Sequence, residues 1–237
     1  MIPSSPRRTL LFLFATSLAY FGPDMVVPAA WAHRGSYLLV SAIYQGALLV
    51  AGFWFGPGIC RALVLREVVT GPLPLAIRQA QAALHGGGLS VPPIVLFEHP
   101  ALFVITAGLR PNRCAVFLSA GLAARLGPPT LQYLLARAAV HATWPQRLGA
   151  LVPALIFTVL LPDDLKVFTT WLELGGFLIL WLLVHWGLEL DVDRRAAGGM
   201  ATGATEALRE LLAVTHSRAG WVTLQPPLAW RLRAVRG

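Results

Sequence analysis

Residues 36–56 form an unbroken run of 21 amino acids without one charged side chain. At about 1.5 Å of helical rise per residue, such a run reaches about 30 Å, the thickness of a bilayer's hydrocarbon core. The rest of the chain matches it. Hydrophobic residues make up 56% of the 237 and charged residues 13%, far from the balance of a soluble globular protein. The expected fold class is a mostly α integral membrane protein.

Three further apolar stretches bring the expected number of transmembrane helices to about four. Arg7 and Arg8 precede a stretch that starts at Leu10 and continues past Asp24 and Pro28. Ala30-Trp31-Ala32 has the small-x-small form of a signal-peptide cleavage site, but it lies far from the apolar centre, and an uncleaved helix over about 9–32 is favoured. Residues 148–161, which contain Pro153, and residues 167–188 are the other two, joined through 162–166 as a helical hairpin. Segments 57–147 and 189–237 hold most of the remaining charges, the Pro-Pro pairs and Gly86-Gly87-Gly88, and are expected to form a small α+β extramembrane domain in two parts. Within it a short amphipathic helix is expected over 73–84, strands over 94–97 and 115–118, and a helix over 130–142 after Pro128-Pro129.

The net charge is +8, and all but one of the 19 basic residues are arginine, the exception being Lys166. A basic chain suits nucleic acid or anionic lipid. These arginines lie beside apolar segments and toward the C-terminus, with no dense basic stripe and no interleaved stacking aromatics. The lipid bilayer is therefore the expected partner and nucleic acid is not. With four crossings, Arg7, Arg8, Arg61, Arg66, Arg147, Arg194 and Arg195 share one side and Asp163 and Asp164 the other. The positive-inside rule then puts the larger domain and both termini in the cytoplasm, with His33 and Arg34 a mild exception. Cys60 and Cys114 are too few for a disulfide framework and too far apart for a metal knuckle, and read as ordinary buried thiols.

Two segments carry the chemistry: Leu131 to His141, which holds Arg137-Ala138-Ala139-Val140-His141, and Glu189-Leu190-Asp191-Val192-Asp193. Here the chain resembles the HtpX-like membrane metallopeptidases, relatives of the CAAX prenyl proteases. Those enzymes carry His-Glu-x-x-His on a helix, two membrane helices, and then Glu-x-x-x-Asp. Histidines four apart share a helix face and bind zinc, the adjacent glutamate activates the metal-bound water, and the distant glutamate completes the ligand set. Laid on this chain, the resemblance puts Arg137 at the first histidine, Ala138 at the general base and His141 at the second histidine. Glu189 stands at the third ligand, and Asp193 at the aspartate that supports the site from behind it. Val91-Pro92-Pro93-Ile94-Val95, the segments 108–112 and 115–122, and Gln225-Pro226-Pro227-Leu228-Ala229-Trp230-Arg231-Leu232 resemble family segments in the same order, so the likeness covers nearly the whole chain.

The resemblance implies a bacterial-type inner membrane protein whose catalytic motif is broken. A guanidinium has no free lone pair for a metal and a methyl group takes no proton. No catalytic residue and no cofactor are expected, and Arg137 is expected to pair with Glu189 or Asp193. The favoured function is that of a pseudopeptidase acting as a binding, scaffold or assembly subunit with other membrane proteins. The alternative is a zinc peptidase with rewired ligands, for which His141, His185 and Glu189 are the candidates. Arg137 and His141 also fit a plainer reading, two polar residues on a solvated helix face. His85, His99 and His216 read as surface residues, and Trp171, Trp181 and Trp186 as interface and packing aromatics.

Overall fold

The structure is a computed structural model that describes residues 6–26, 28, 35–64, 68–99, 102–160, 171–200, 202–216 and 225–236. These residues are mostly helical with one small sheet. Two long helices, α1 (Pro6–Val26) and α2 (Gly35–Val64), precede α3 (Leu75–Gly86). Then come β1 (Ile94–Phe97), β2 (Val104–Ala107), a 3-10 turn (Pro111–Arg113), β3 (Ala115–Ser119) and the single-turn α4 (Ala120–Ala123). The remaining helices are α5 (Pro128–His141), α6 (Trp144–Leu160), α7 (Trp171–Gly198), α8 (Ala204–His216) and α9 (Leu228–Arg236).

α5 is the hub. Pro128 and Pro129 open it at positions where a missing N–H loses no helical bond. The preceding Gly127 N–H donates to Glu210 of α8 at 2.9 Å, and the Thr130 hydroxyl donates to the other oxygen of the same carboxylate. α3, α7 and α8 all pack against α5, which is why the successive residues Tyr133, Leu134, Leu135 and Ala136 are all buried although they point in different directions. Ile77 and Leu84 of α3, Leu118 of β3 and Leu208 of α8 close the same core. Burying each such side chain contributes about 1.5–3 kcal/mol.

The sheet order is β1-β3-β2. Central β3 is buried at all five positions, pairing in parallel with β1 (Val95 opposite Phe117) and antiparallel with β2 (Ile105 opposite Phe117). Ser119 ends β3 and caps α4: its Oγ accepts from the N–H of Leu122 at 3.3 Å and of Phe103 at 3.1 Å. The link from β2 back to β3 needs Gly108, whose φ is +120° and where a Cβ would stand 2.9 Å from the Cys114 Cα. Val68 and Val69 cover the outer edge of β1. β2 forms the other edge.

The strands expected over 94–97 and 115–118 are present, and α3 and α5 lie within two residues of the helices expected there. The expectation of about four membrane helices is not met. Among the described residues one helix is long and apolar enough to span a bilayer: Leu39–Leu63 within α2, 25 residues of mean hydropathy 1.5. Only 11% of its most apolar window is buried, so the protein's own core does not account for its character. The other segments fall short for separate reasons. The apolar part of α1 runs only from Leu10 to Tyr20. α6 has 17 residues with Pro153 inside, and the apolar half of α7 passes into the charged segment from Glu189 to Arg195. The placement of both termini on one side required an even number of crossings and falls with the four-helix count. Ala30-Trp31-Ala32, His33, Arg34, Arg66, the connection over 162–166 and Lys166 lie outside the described residues.

Candidate functional site

The helical spacing of α5 sends Tyr133, Arg137 and His141 toward α7, where Glu189 and Asp193 are likewise one turn apart. The pair expected between Arg137 and Glu189 is present, with Nη2 2.5 Å from Oε2. Arg137 Nε also lies 3.1 Å from Asp193 Oδ1, an ionic contact whose angle falls short of a hydrogen bond. Asp193 is fully buried and heavily tied. Arg231 of α9 grips it through Nε at 2.5 Å and Nη2 at 2.9 Å, and the Tyr133 hydroxyl donates at 2.9 Å. Arg231 reaches on to Gln225 Oε1 at 2.9 Å. Three helices are thus pinned through two carboxylates and two guanidinium groups.

The electrostatics follow from this geometry. Burial favours neutral Asp193, but the Arg231 hydrogen bonds and the Arg137 charge outweigh it and hold the carboxyl below its ordinary range. Desolvation pulls the His141 pKa down to about 4, with Glu189 opposing and Arg137 and Arg147 reinforcing. His141 is therefore neutral at pH 7, and its Nε2, 3.6 Å from Glu189 Oε1, makes a contact there and not an ion pair.

Arg137, Ala138, His141 and Glu189 line a cleft of about 300 Å³. Its opposite wall is the outer edge of β2. Because the Phe103 carbonyl accepts from Ser119 across the ladder, alternation turns the peptide groups of Val104 and Thr106 outward. At the far end sits Arg147 of α6, 8% exposed, whose Nη2 donates to the outward Thr106 carbonyl at 3.0 Å. Its other polar neighbour is the Cys114 thiol, and its Nε has no hydrogen-bond partner. Among the described residues no carboxylate lies within ion-pair distance of it. Burial accordingly pushes its pKa down, with Cys114 opposing.

Arg137 holds a fixed positive charge against the Glu189 carboxylate. His141, His185 and Glu189 line a neighbouring cavity of about 170 Å³, but among the described residues no three His, Cys, Asp or Glu side chains gather as a ligand set. His185 stacks on Trp181 with ring centroids 5.9 Å apart. Trp186 packs edge-on against Trp230, at 5.7 Å. His85 is exposed and His99 half-buried, while the His216 side chain lies outside the described set.

Sequence reasoning named Arg137, Ala138, His141, Glu189 and Asp193, and the fold brings all five to one place. It missed Tyr133, Arg147 and β2. Tyr133 was findable, since it lies one turn before Arg137 on the same face. β2 had a signal in Phe103-Val104-Ile105-Thr106, rich in β-branched residues. No family model, curated protein or solved structure matches this chain significantly.

Proposed function

We propose that this chain is a membrane-associated pseudopeptidase of HtpX-like ancestry that binds a partner polypeptide in the cleft beside β2 and does not hydrolyse it. One observation carries the reading: Arg137 sits where the resemblance puts a metal ligand, clamped between Glu189 and Asp193. Such an arrangement supplies neither a Lewis acid nor a base, because Ala138 occupies the general-base position. Two further features support binding. The outward peptide groups of Val104 offer hydrogen bonds to an extended segment, and α2 is long and apolar enough to hold the cleft at a membrane.

The test is restoration. Purified in detergent, the native chain should cleave neither casein nor a detergent-solubilised membrane protein, with or without chelator. Arg137→His together with Ala138→Glu should acquire zinc, since His141 and Glu189 already stand in place. Chelator-sensitive cleavage by the native chain would establish the zinc-peptidase alternative, and a double variant that stays metal-free would remove the metallopeptidase resemblance.

A further inference from the structure

The cleft contains a cation that its own residues leave uncompensated. Arg137 and Arg231 face Glu189 and Asp193, two positive charges against two negative. His141 and Tyr133 add none at neutral pH. Arg147 is left over. More than nine-tenths of this residue is buried, its side-chain hydrogen-bond partners among the described residues are a neutral carbonyl and a neutral thiol, nearby His141 is neutral as well, and its Nε bonds nothing. Burying an unpaired guanidinium is expensive, and natural proteins pair such groups or put them to use. It also lines the same cleft as Arg137 and the β2 edge.

The position of Arg147 is specific. β2 offers the outward N–H and C=O of Val104 to an added strand, and two residues further on the Thr106 carbonyl is already taken by Arg147. An extended segment bound along this edge therefore meets the guanidinium in place of the Thr106 carbonyl. A negatively charged group at that point restores the charge balance and gains charge-assisted hydrogen bonds inside a poorly solvated cleft. Glu189 does not block it, because Arg137 already engages that carboxylate.

We infer that the cleft recognises a carboxylate carried on an extended polypeptide segment, with Arg147 as its receptor and the edge of β2 as its guide. The inference rests on the reading of the cleft as a binding groove and names the chemistry of the occupant. Two sources supply that chemistry, a chain's terminal α-carboxylate or an Asp or Glu side chain, and the experiment separates them.

The full chain, purified in detergent, is immobilised and offered three pools of random acetylated hexapeptides: neutral with a free C-terminus, neutral with an amidated C-terminus, and amidated with one fixed glutamate. Bound peptides are counted by mass spectrometry. At least one carboxylate-bearing pool should be enriched about tenfold over the neutral amidated pool, the worth of one charge-assisted hydrogen bond. Enrichment of the free-terminus pool alone assigns the α-carboxylate, and enrichment of the glutamate pool assigns the side chain. Arg147→Met should abolish the preference, and Arg209→Gln, at an exposed site on α8, should retain it. Equal binding of all three pools, or a preference that survives Arg147→Met, overturns the carboxylate and leaves the groove. Binding of no pool overturns both readings. Thermal unfolding of each variant establishes that it is folded before its binding is scored.

Discussion

Two guanidinium groups, Arg231 behind the cleft and Arg147 in its lining, are both almost fully buried, yet they live by opposite rules. Arg231 meets a fully buried carboxylate through two hydrogen bonds and reaches Gln225 with a third. Arg147, also buried, has a carbonyl and a thiol as its side-chain hydrogen-bond partners among the described residues. The same side chain is a structural tie behind the cleft and an unspent charge in its lining. The difference teaches where to look for function, because a saturated buried ion pair maintains the fold, whereas an unsaturated one implies a missing partner.

The largest effect that sharpens this contrast comes from removing the shared carboxylate. Asp193→Ala leaves Arg231 buried without its counter-ion and takes one from Arg137, and should lower unfolding free energy by about 3–5 kcal/mol in detergent melts. Tyr133→Phe deletes one hydrogen bond to the same carboxylate and should lose about 1.5–3 kcal/mol. Arg147→Met should act in the opposite direction. It forfeits a bond to the Thr106 carbonyl but relieves an unpaired buried charge, so stability is expected to hold or rise by about 1 kcal/mol. A loss as large as that of Asp193→Ala would mean that Arg147 is a structural tie after all.

The smallest effect is one of pH. The folded His141 pKa, about 4, lies below its ordinary 6.5, so the unfolded chain takes up a proton first and stability falls as pH drops through that interval. Asp193 acts lower still. Its carboxyl is held below 3.8, so the stability it contributes is present above that value and is lost as pH falls beneath it. Melting temperatures measured from pH 7 to pH 4 should therefore decline, and His141→Asn should flatten the slope.

The two ends of the cleft also differed in how readily the sequence disclosed them. Arg137, His141, Glu189 and Asp193 were legible because helical spacing fixes which residues share a face, and a face survives whatever the tertiary arrangement. Arg147 was read only as a juxtamembrane arginine. Its burial depends on how α6 leaves α5 and approaches β2, a tertiary fact with no local signature. The strands at 94–97 and 115–118 were legible from apolar runs between turn residues, whereas β2 was passed over as one more apolar stretch. The count of membrane helices failed for a related reason. Apolar length was taken as evidence for spanning, but α6 is short and α7 spends its second half delivering Glu189 and Asp193 to the core. Among the described residues only α2 is both long and apolar enough to span a bilayer.

In the proposed function Arg137 stands where a metal ligand would, so that the site is closed to zinc by its own charge. Elemental analysis of the full chain, purified from membranes without chelator and then dialysed against micromolar zinc, tests this directly. The account predicts a preparation free of tightly bound zinc whose Arg137→His, Ala138→Glu variant binds one ion per chain. One tightly held zinc per native chain, lost on substitution of His141 or Glu189, would contradict it.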